Sequence, residues 1–278
     1  MIYLDPRSDM VFKKLFGDIT HKNILISFLN SVLGRVEGKK IIDVVINDPS
    51  NVPETPLSKT SIVDVRCTDQ SSNQYIVEMQ VVTQKDYGAR AQYYSSLALS
   101  RQLASGESYS KLVPVIFVGV LDFSLFKTSN YISHHFILDN ETHEHELAHM
   151  EFHFIELPKF NKKPEALNGI LEKWIYFIKN AGLLQKVPSY LSEPVLTEAF
   201  GVLAQSNWSI PELEAYDRYQ DSIRSAIGQL EAAMEKGMEK GIEKARLEMA
   251  KKLLSKLDIA AVAEITGLSV EELTKLKK

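Results

Sequence analysis

The sequence has almost no cysteine, little net charge and no long apolar run, and each shortage excludes a class of protein. A single cysteine, Cys67, excludes an internal disulfide framework. The sequence has neither an apolar N-terminal stretch nor an apolar run long enough to cross a bilayer, so we expect a cytoplasmic protein without a membrane partner. The net charge of −4 gives no overall attraction to polyanions, so binding a polyanion would depend on local basic patches or a bound cation.

The length and apolar content suffice for one sizeable hydrophobic core. With 278 residues, of which 45% are hydrophobic, the chain can form a main domain and a smaller second unit. Because Pro188 and Pro194 interrupt the pattern, we predict a main domain over 1–187 and an all-helical C-terminal region over 188–278.

Alternating strand and helix patterns predict a mixed α/β topology for the main domain. The continuous apolar run Leu112–Leu121 is typical of a central strand covered on both faces. The other predicted elements are strands over Ile41–Asn47, Tyr131–Leu138 and Met150–Leu157, a helix over His21–Leu33 and a proline-rich loop over Asp48–Lys59.

A predicted hairpin carries the most informative side chains. Its strands are Ser61–Thr68 and Gln74–Val82, and the segment Asp69–Asn73 between them favours a turn. Pairing that is symmetric about Ser71 sets Asp64 opposite Glu78 and Ile62 opposite Gln80. The period of two then gives one face with Asp64, Glu78 and Gln80, and an opposite apolar face with Val63, Val65, Tyr75, Val77 and Met79.

Two carboxylates that face each other across a hairpin need a positive charge between them. Their separation would be about 5 Å, at which like charges weaken the pairing. A divalent cation fits, because Mg²⁺ takes one or two carboxylates together with water and phosphate oxygens. The alternative is an ordinary solvated acidic face, which is disfavoured because Ile62, Ile76 and Val82 share this face and predict partial burial.

Three ordered blocks of sequence resemble a known family. Asp64, followed after thirteen residues by Glu78-Met79-Gln80, resembles the PD-(D/E)XK nuclease core in its ExQ variant. With D-P-R-S-D-M-V-F-K-K-L-F-G near the N-terminus and Q-V-V-T-Q-K-D-Y-G-A-R-A-Q-Y-Y after the hairpin, the chain resembles the Rpn family of recombination-promoting nucleases, also described as PD-(D/E)XK transposase-like proteins. The likeness spans Leu4 to Lys159.

This resemblance implies a fold, an activity and a cofactor. The fold would be an α/β, restriction-endonuclease-like core with a central mixed sheet flanked by helices. The activity would be that of a metal-dependent DNA endonuclease linked to recombination or mobile elements, with DNA as partner and Mg²⁺ or Mn²⁺ as cofactor. An alternative is a catalytically weak or inactive DNA-binding or assembly protein that keeps the nuclease fold.

The resemblance also implies roles for individual residues. Asp64 and Glu78 would hold the metal, and Gln80 would orient the attacking water. Gln80 stands where the family commonly has lysine, and a neutral amide supplies neither charge nor a base. Lys85 and Arg90 are the candidates for the missing positive charge.

Asp9 begins a short amphipathic helix predicted over Asp9–Phe16, with Lys13 and Lys14 directed outward. One interpretation is an acid that complements the helix dipole. The other, which the resemblance implies, is an accessory residue close to the metal centre.

The helix predicted after the hairpin, from Thr83 to Ala104, places Arg90 and Tyr94 on one face. Arg90 is a candidate phosphate contact because a guanidinium can bind two phosphate oxygens, and Tyr94 and Lys85 are candidate substrate contacts with it. The alternative for Arg90 is a surface arginine packed over a tyrosine.

The segment His145–His149 satisfies the HExxH pattern of zinc proteases. That chemistry needs both histidines one turn apart on a helix, and too few residues separate the flanking strands to form one. We therefore predict a histidine-rich turn.

The C-terminal region contains a four-residue repeat and a helix-turn-helix-like end. In E-K-G-M-E-K-G-I-E-K-A the glycines favour either close approach of a second copy, giving a homo-oligomer, or a tolerant linker that arose by slippage. The segment Asp258–Lys278 predicts two short helices, but Glu271 and Glu272 would repel DNA, so a structural or dimer-contacting pair is favoured.

Overall fold

The computed structural model describes residues 2–51 and 61–276. Within it the chain forms two compact units, Met1–Gln220 and Asp221–Lys278. The helical segment 188–220 lies in the first unit. The predicted end of the nuclease-like domain at residue 187 stays a prediction.

Eight strands and eight α-helices follow one another along the described residues. The strands are Val44–Asn47 (β1), Ser50–Asn51 (β2), Ser61–Ile62 (β3), Val65–Asp69 (β4), Gln74–Gln80 (β5), Val115–Leu121 (β6), Ile132–Phe136 (β7) and Met150–Glu156 (β8). The helices are Asp9–Phe16 (α1), Lys22–Val32 (α2), Tyr87–Ser100 (α3), Gly169–Asn180 (α4), Pro194–Leu203 (α5), Ile210–Leu253 (α6), Ile259–Thr266 (α7) and Val270–Leu276 (α8).

A mixed six-stranded sheet forms the centre of the first unit, in the order β1-β4-β5-β6-β8-β7. Strand β6 is parallel to both β5 and β8, and the remaining pairs are antiparallel. Helices cover both faces, so the expected α/β core with a central mixed sheet is confirmed. The short strands β2 and β3 pair separately.

Strand β6 is buried along its whole length, as its continuous apolar run predicts. Its alternate residues enter two hydrophobic clusters on opposite faces of the sheet. The larger cluster takes residues from α1, α2, α4 and α5, and the smaller one takes Tyr87, Ala91 and Ala98 from α3. The sheet is thus fixed between two helical layers.

The register predicted for the hairpin is confirmed over four residue pairs, from Val65 opposite Val77 to Thr68 opposite Gln74. The turn is held by Asp69, whose Oδ1 accepts hydrogen bonds from the backbone N–H groups of Ser71 and Asn73. Side-chain bonding of this kind is why such residues favour turns.

The first strand of the hairpin is not continuous, and here the prediction is wrong. The backbone bends at Asp64, and β3 pairs with β2 instead of with the strand that contains Gln80. Val63 lies in the smaller cluster and Val65 in the larger, although both were expected on one face. The reason is that Asp64 leaves the ladder, and its carboxylate accepts the N–H of Met79 instead.

Helix α1 has the predicted bounds, whereas α3 begins later than predicted. Residues Gln84 to Tyr87 form a turn, closed by a hydrogen bond from the N–H of Tyr87 to the carbonyl of Gln84. The carbonyl of Asp86 then accepts the N–H of Arg90 and starts the helix, which begins at Tyr87 instead of at Thr83.

The second unit is helical, as predicted for the C-terminal region. A small cluster of Ala250, Val262, Leu268 and Leu273 joins the end of α6 to α7 and α8. Gly267 ends α7 in the left-handed conformation, and Ser269 and Glu272 form a capping box at the start of α8. Among the helices of the described residues, none is long and apolar enough to cross a membrane.

Candidate active site

Asp64 and Glu78, which we call the acid pair, lie at the end of the hairpin where the ladder between β4 and β5 stops. The bend brings Asp64 out of the ladder, and β5 carries Glu78 on the face that packs against α3. The side chain of Glu78 is 6% exposed and that of Asp64 is 15% exposed. Both carboxylates are therefore largely removed from water.

Asp64 is held by contacts with two other elements. Its Oδ2 accepts the backbone N–H of Met79 at 2.8 Å, and Lys13 Nζ lies 3.5 Å from its Oδ1. Burial raises the pKa of Asp64 to about 8, helped by a hydrogen bond with Asp9 and the charge of Glu78, against the lowering effect of the Met79 N–H.

Glu78 is buried against α3. Burial raises its pKa to about 7, although Arg90, Tyr87 and Lys13 all favour the ionised form. The Arg90 guanidinium is 3.4 Å from its Oε2, and the Tyr87 hydroxyl donates to the same oxygen at 3.5 Å. Two buried carboxylates with raised pKa values thus share one end of the sheet.

Lys13 is directed toward the acid pair, which corrects the expectation that it faces outward. Its Nζ is 2.8 Å from an oxygen of Asp9, one helical turn earlier, and also pairs with Asp64. Lys14 lies apart, bonded to Glu212 and stacked 4.1 Å over the ring of Trp208. Of the two adjacent lysines, only Lys13 contacts the acid pair.

Asp9, expected as an accessory residue, contacts both Lys13 and Asp64. Its two carboxylate oxygens accept from Lys13 at 2.8 and 3.0 Å. It is also the residue whose hydrogen bond helps to raise the pKa of Asp64. Asp9 therefore belongs to the same cluster of charges as the acid pair.

Gln80 and Arg90 are bonded to each other. Gln80 Oε1 accepts from Arg90 Nη2 at 2.6 Å, and Gln80 Nε2 donates to the carbonyl of Val82 at 3.2 Å. Arg90 also donates to Gln84, and its guanidinium lies 4.7 Å over the ring of Tyr87. Arg90 thus packs over a tyrosine, as one interpretation expected, and it also reaches Glu78, whereas its contact with a phosphate stays a prediction.

Tyr94 and Lys85 line a groove beside the acid pair, which we call the tyrosine groove. Its volume is about 550 Å³, and its lining residues are Gln84, Lys85, Asp86, Ala89, Arg90, Tyr93 and Tyr94. Arg90 belongs both to this groove and to the surroundings of Glu78, so the groove adjoins the acid pair.

The donor atoms of the acid pair suit Mg²⁺ or Mn²⁺. Within the described ranges there is no group of three or more His, Cys, Asp or Glu residues that could hold a metal by itself. Mg²⁺ does not need one, because it commonly binds one or two carboxylates and completes its shell with water and substrate phosphate. A dication would also relieve the cost of ionising two buried carboxylates.

The HExxH segment does not form the helix that a zinc protease requires. His145 and His149 lie in irregular chain and a turn between β7 and β8, as predicted for a histidine-rich turn. Without a helix the two imidazoles are not held one turn apart, which zinc-protease chemistry requires.

Three residues near the acid pair, Lys13, Gln84 and Tyr87, were not predicted as part of the site. The spacing of Asp9 and Lys13 at i and i+4 is a sequence signal for an ion pair, and it could have directed attention to Lys13. Tyr87 and Gln84 carry no such signal, because their contacts with Glu78 and Arg90 depend on how α3 packs against β5.

Comparison with known proteins identifies one similarity. Residues 6–233, most of the chain, match the sequence model of the PD-(D/E)XK nuclease family transposase. The matched range includes Asp9, the acid pair, Gln80 and Arg90. The chain has no significant match among curated proteins or solved structures.

Proposed function

This chain belongs to the PD-(D/E)XK nuclease family transposases, and from this premise we propose that it is a metal-dependent DNA endonuclease that hydrolyses phosphodiester bonds at the acid pair. Proteins of this family in general use divalent metals, and its restriction-endonuclease-like α/β fold agrees with the sheet and helices described above. A role in recombination or mobile elements is part of the same proposal, because the family description names transposases.

The observation that carries the proposal is the environment of Asp64 and Glu78. Specific contacts hold both carboxyl groups, yet burial raises both pKa values. A bound cation would therefore stabilise their ionised forms. An ordinary network of surface salt bridges would not require two buried acidic residues close to each other. Carboxyl groups with strongly shifted pKa values next to a groove are typical of a functional site.

In this proposal the acid pair holds Mg²⁺ or Mn²⁺, which when bound polarises the scissile phosphate and lowers the pKa of water. Lys13 lies beside Asp64 and Arg90 beside Glu78, and both would offer positive charge to a phosphate that enters the site. Asp9 holds Lys13 close to Asp64, and Arg90 would bind a phosphate by exchanging its contacts with Gln84 and Gln80 for phosphate oxygens.

The contacts of Gln80 support a different role from orienting water. Both ends of its amide are engaged, with Arg90 and with the carbonyl of Val82, so it acts here as a support for Arg90. Lys13 then becomes the candidate for the positive charge that the family's usual lysine supplies.

The same contacts favour the second candidate function. These contacts occupy the amide of Gln80. If Lys13 does not supply the positive charge of the family's usual lysine, the chain would be a weak nuclease or an inactive DNA-binding or assembly protein with the same fold. DNA as partner, the cytoplasm as location and a homo-oligomer formed through the C-terminal helices belong to both candidates as proposals.

Nicking of supercoiled plasmid DNA in Mg²⁺ or Mn²⁺ tests the proposed function. We expect Asp64→Asn combined with Glu78→Gln to lower the rate about 1,000-fold, because metal catalysis contributes several kcal/mol to transition-state stabilisation. The control combines Asp43→Asn with Glu107→Gln, two acids that pair with surface lysines. A double variant that nicks as fast as the control would exclude the acid pair.

Calorimetric titration with Mn²⁺ separates the two candidate functions. A nuclease site should bind the ion in the wild type and lose it in the Asp64→Asn, Glu78→Gln variant. Equal and weak binding by both proteins, together with retained DNA binding, would favour the inactive DNA-binding protein.

A further inference from the structure

We propose that the tyrosine groove binds an unpaired nucleotide of DNA, whose base stacks on Tyr93, so that the preferred substrate is DNA with a single-stranded end or gap. The inference rests on the proposed function, because the groove adjoins the acid pair. It extends that function by naming the class of DNA.

Tyr93 is an exposed aromatic side chain in the lining of the groove. It is 41% exposed, and it belongs to neither hydrophobic cluster of the first unit, whereas its neighbour Tyr94 packs against the smaller one. The two rings lie 6.3 Å apart between centroids and are tilted by 54°. Tyr94 therefore contacts Tyr93, and the partly exposed ring of Tyr93 lines the groove.

The charges in the groove are arranged for a nucleotide whose phosphate faces the acid pair. Arg90 links the two places, since it lines the groove and lies 3.4 Å from Glu78 Oε2. Lys85 adds a second cation to the lining, while Asp86 disfavours a phosphate at its own position. A phosphate near Arg90 with its base over Tyr93 satisfies these charges.

The size and openness of the groove fit one nucleotide. Its volume of about 550 Å³ lies within the usual range of small-molecule sites. A base that is stacked and paired inside a duplex cannot offer its face to a tyrosine, so a base must be unpaired or displaced from the helix to bind here.

Stacking on tyrosine is tolerant of sequence, because every base has an aromatic face. The groove therefore predicts a preference for DNA structure and little preference for the base itself. If Tyr93 instead bound phosphate through its hydroxyl, duplex and single-stranded DNA would depend on it equally.

Fluorescence anisotropy with labelled oligonucleotides tests the proposal without requiring cleavage. The probes are a single strand, a blunt duplex and the same duplex with a single-stranded overhang, with Ca²⁺ in place of Mg²⁺. The variants are Tyr93→Ala, Tyr93→Phe and the control Tyr109→Ala, an 82% exposed tyrosine outside the groove.

We expect Tyr93→Ala to weaken binding of the single strand and the overhang by about 5- to 100-fold, as measured for the loss of base stacking. Tyr93→Phe should bind nearly as the wild type, because the ring is retained, and Tyr109→Ala should be unchanged. Affinity for the blunt duplex should be the same in all four proteins.

Three results would overturn the inference: unchanged single-strand affinity in Tyr93→Ala, equal losses for duplex and single strand, or a Tyr93→Phe variant as weak as Tyr93→Ala. These results are separable from failure of the proposed function. A wild type that shows Tyr93-dependent single-strand binding but, with Mg²⁺, cleaves neither supercoiled plasmid nor the overhang duplex would keep the groove and reject the nuclease.

Discussion

At the scale of single residues, the charges around the acid pair come from elements far apart in the chain. Lys13 comes from α1 and Arg90 from α3, and each contacts a different carboxylate. Burial lowers the pKa of Lys13, but the contacts with Asp9 and Asp64 raise it overall, so Lys13 keeps its positive charge. Two cations from separate helices thus contact the two buried acids, one each.

Replacement of Lys13 should impair cleavage far more than replacement of its neighbour. We expect Lys13→Met to lower the nicking rate about 100-fold, the effect typical of removing one positioned donor to developing charge. Lys14→Met is the matched control, because Lys14 pairs with Glu212 and stacks on Trp208. Plasmid nicking at saturating metal measures both.

Lys13→Arg should recover part of the activity, since it restores the charge with a different shape. Equal rates for Lys13→Met and Lys14→Met would contradict a catalytic role for Lys13. Thermal unfolding of each variant shows whether a loss of rate comes from a loss of fold.

At the scale of elements, the acid pair depends on the rigidity of β5 and of its neighbour β6. Strand β6 pairs with β5 over its whole length, and Gly119 lies opposite Glu78 in the register. A Cβ at Gly119 would lie 2.9 Å from the ring of Phe154 on β8. Glycine at this position allows the aromatic ring to lie against the strand beside the site.

Gly119→Ala should therefore destabilise the first unit. We expect a loss of about 1–3 kcal/mol in the free energy of unfolding, as for overpacking of a well-filled core, measured by urea denaturation. Gly88→Ala in α3 is the control, because a Cβ there meets nothing within 4 Å. Alanine in a helix should leave that variant as stable as the wild type or up to about 1 kcal/mol more stable.

An unchanged midpoint in Gly119→Ala would mean that the Phe154 ring moves aside at no cost. In that case the strand would not be tightly packed at Glu78. The geometry of the acid pair would then need support from α3 alone.

At the scale of the whole molecule, the acid pair lowers stability at neutral pH. The pKa values of Asp64 and Glu78 are raised to about 8 and about 7, whereas in the unfolded chain both groups ionise near pH 4. Between these limits the folded state binds more protons than the unfolded state, so the free energy of unfolding falls as pH rises. The decrease should end above about pH 8.

Urea denaturation at several pH values, in metal-free buffer, measures this dependence. Asp64→Asn combined with Glu78→Gln should flatten the decrease and be more stable than the wild type at pH 8 by on the order of 3 kcal/mol. The Asp43→Asn, Glu107→Gln control should follow the wild-type profile. Parallel profiles for the wild type and the acid-pair variant would contradict the raised pKa values.

The net charge of −4 gives the whole molecule no attraction to DNA, so the proposed function depends on the cations near the acid pair to attract a phosphate locally. A separate feature is the exposed surface of α6 in the second unit. Met234 and Met238 are exposed there, and nothing lies within 4 Å of a Cβ at Gly237 or Gly241. Formation of a homo-oligomer through these helices stays a prediction.

Local rules in the sequence determined several elements of this protein. The bounds of α1, the register of the hairpin and the caps of α7 and α8 follow from apolar spacing, turn residues and capping pairs, all within a few residues of each other. The family resemblance added the restriction-endonuclease-like arrangement of the α/β fold and the roles expected for Asp9, Asp64, Glu78, Gln80 and Arg90.

Only the tertiary structure decided how those residues meet. The bend at Asp64, the direction of Lys13 and the bond between Gln80 and Arg90 join α1, the hairpin and α3 across more than fifty residues of chain. Periodicity assigns a side chain to a face of its own element, but it carries no information on which distant element packs there. The free energy of burying charged groups is shared among all of them, so it is fixed only when the core is assembled.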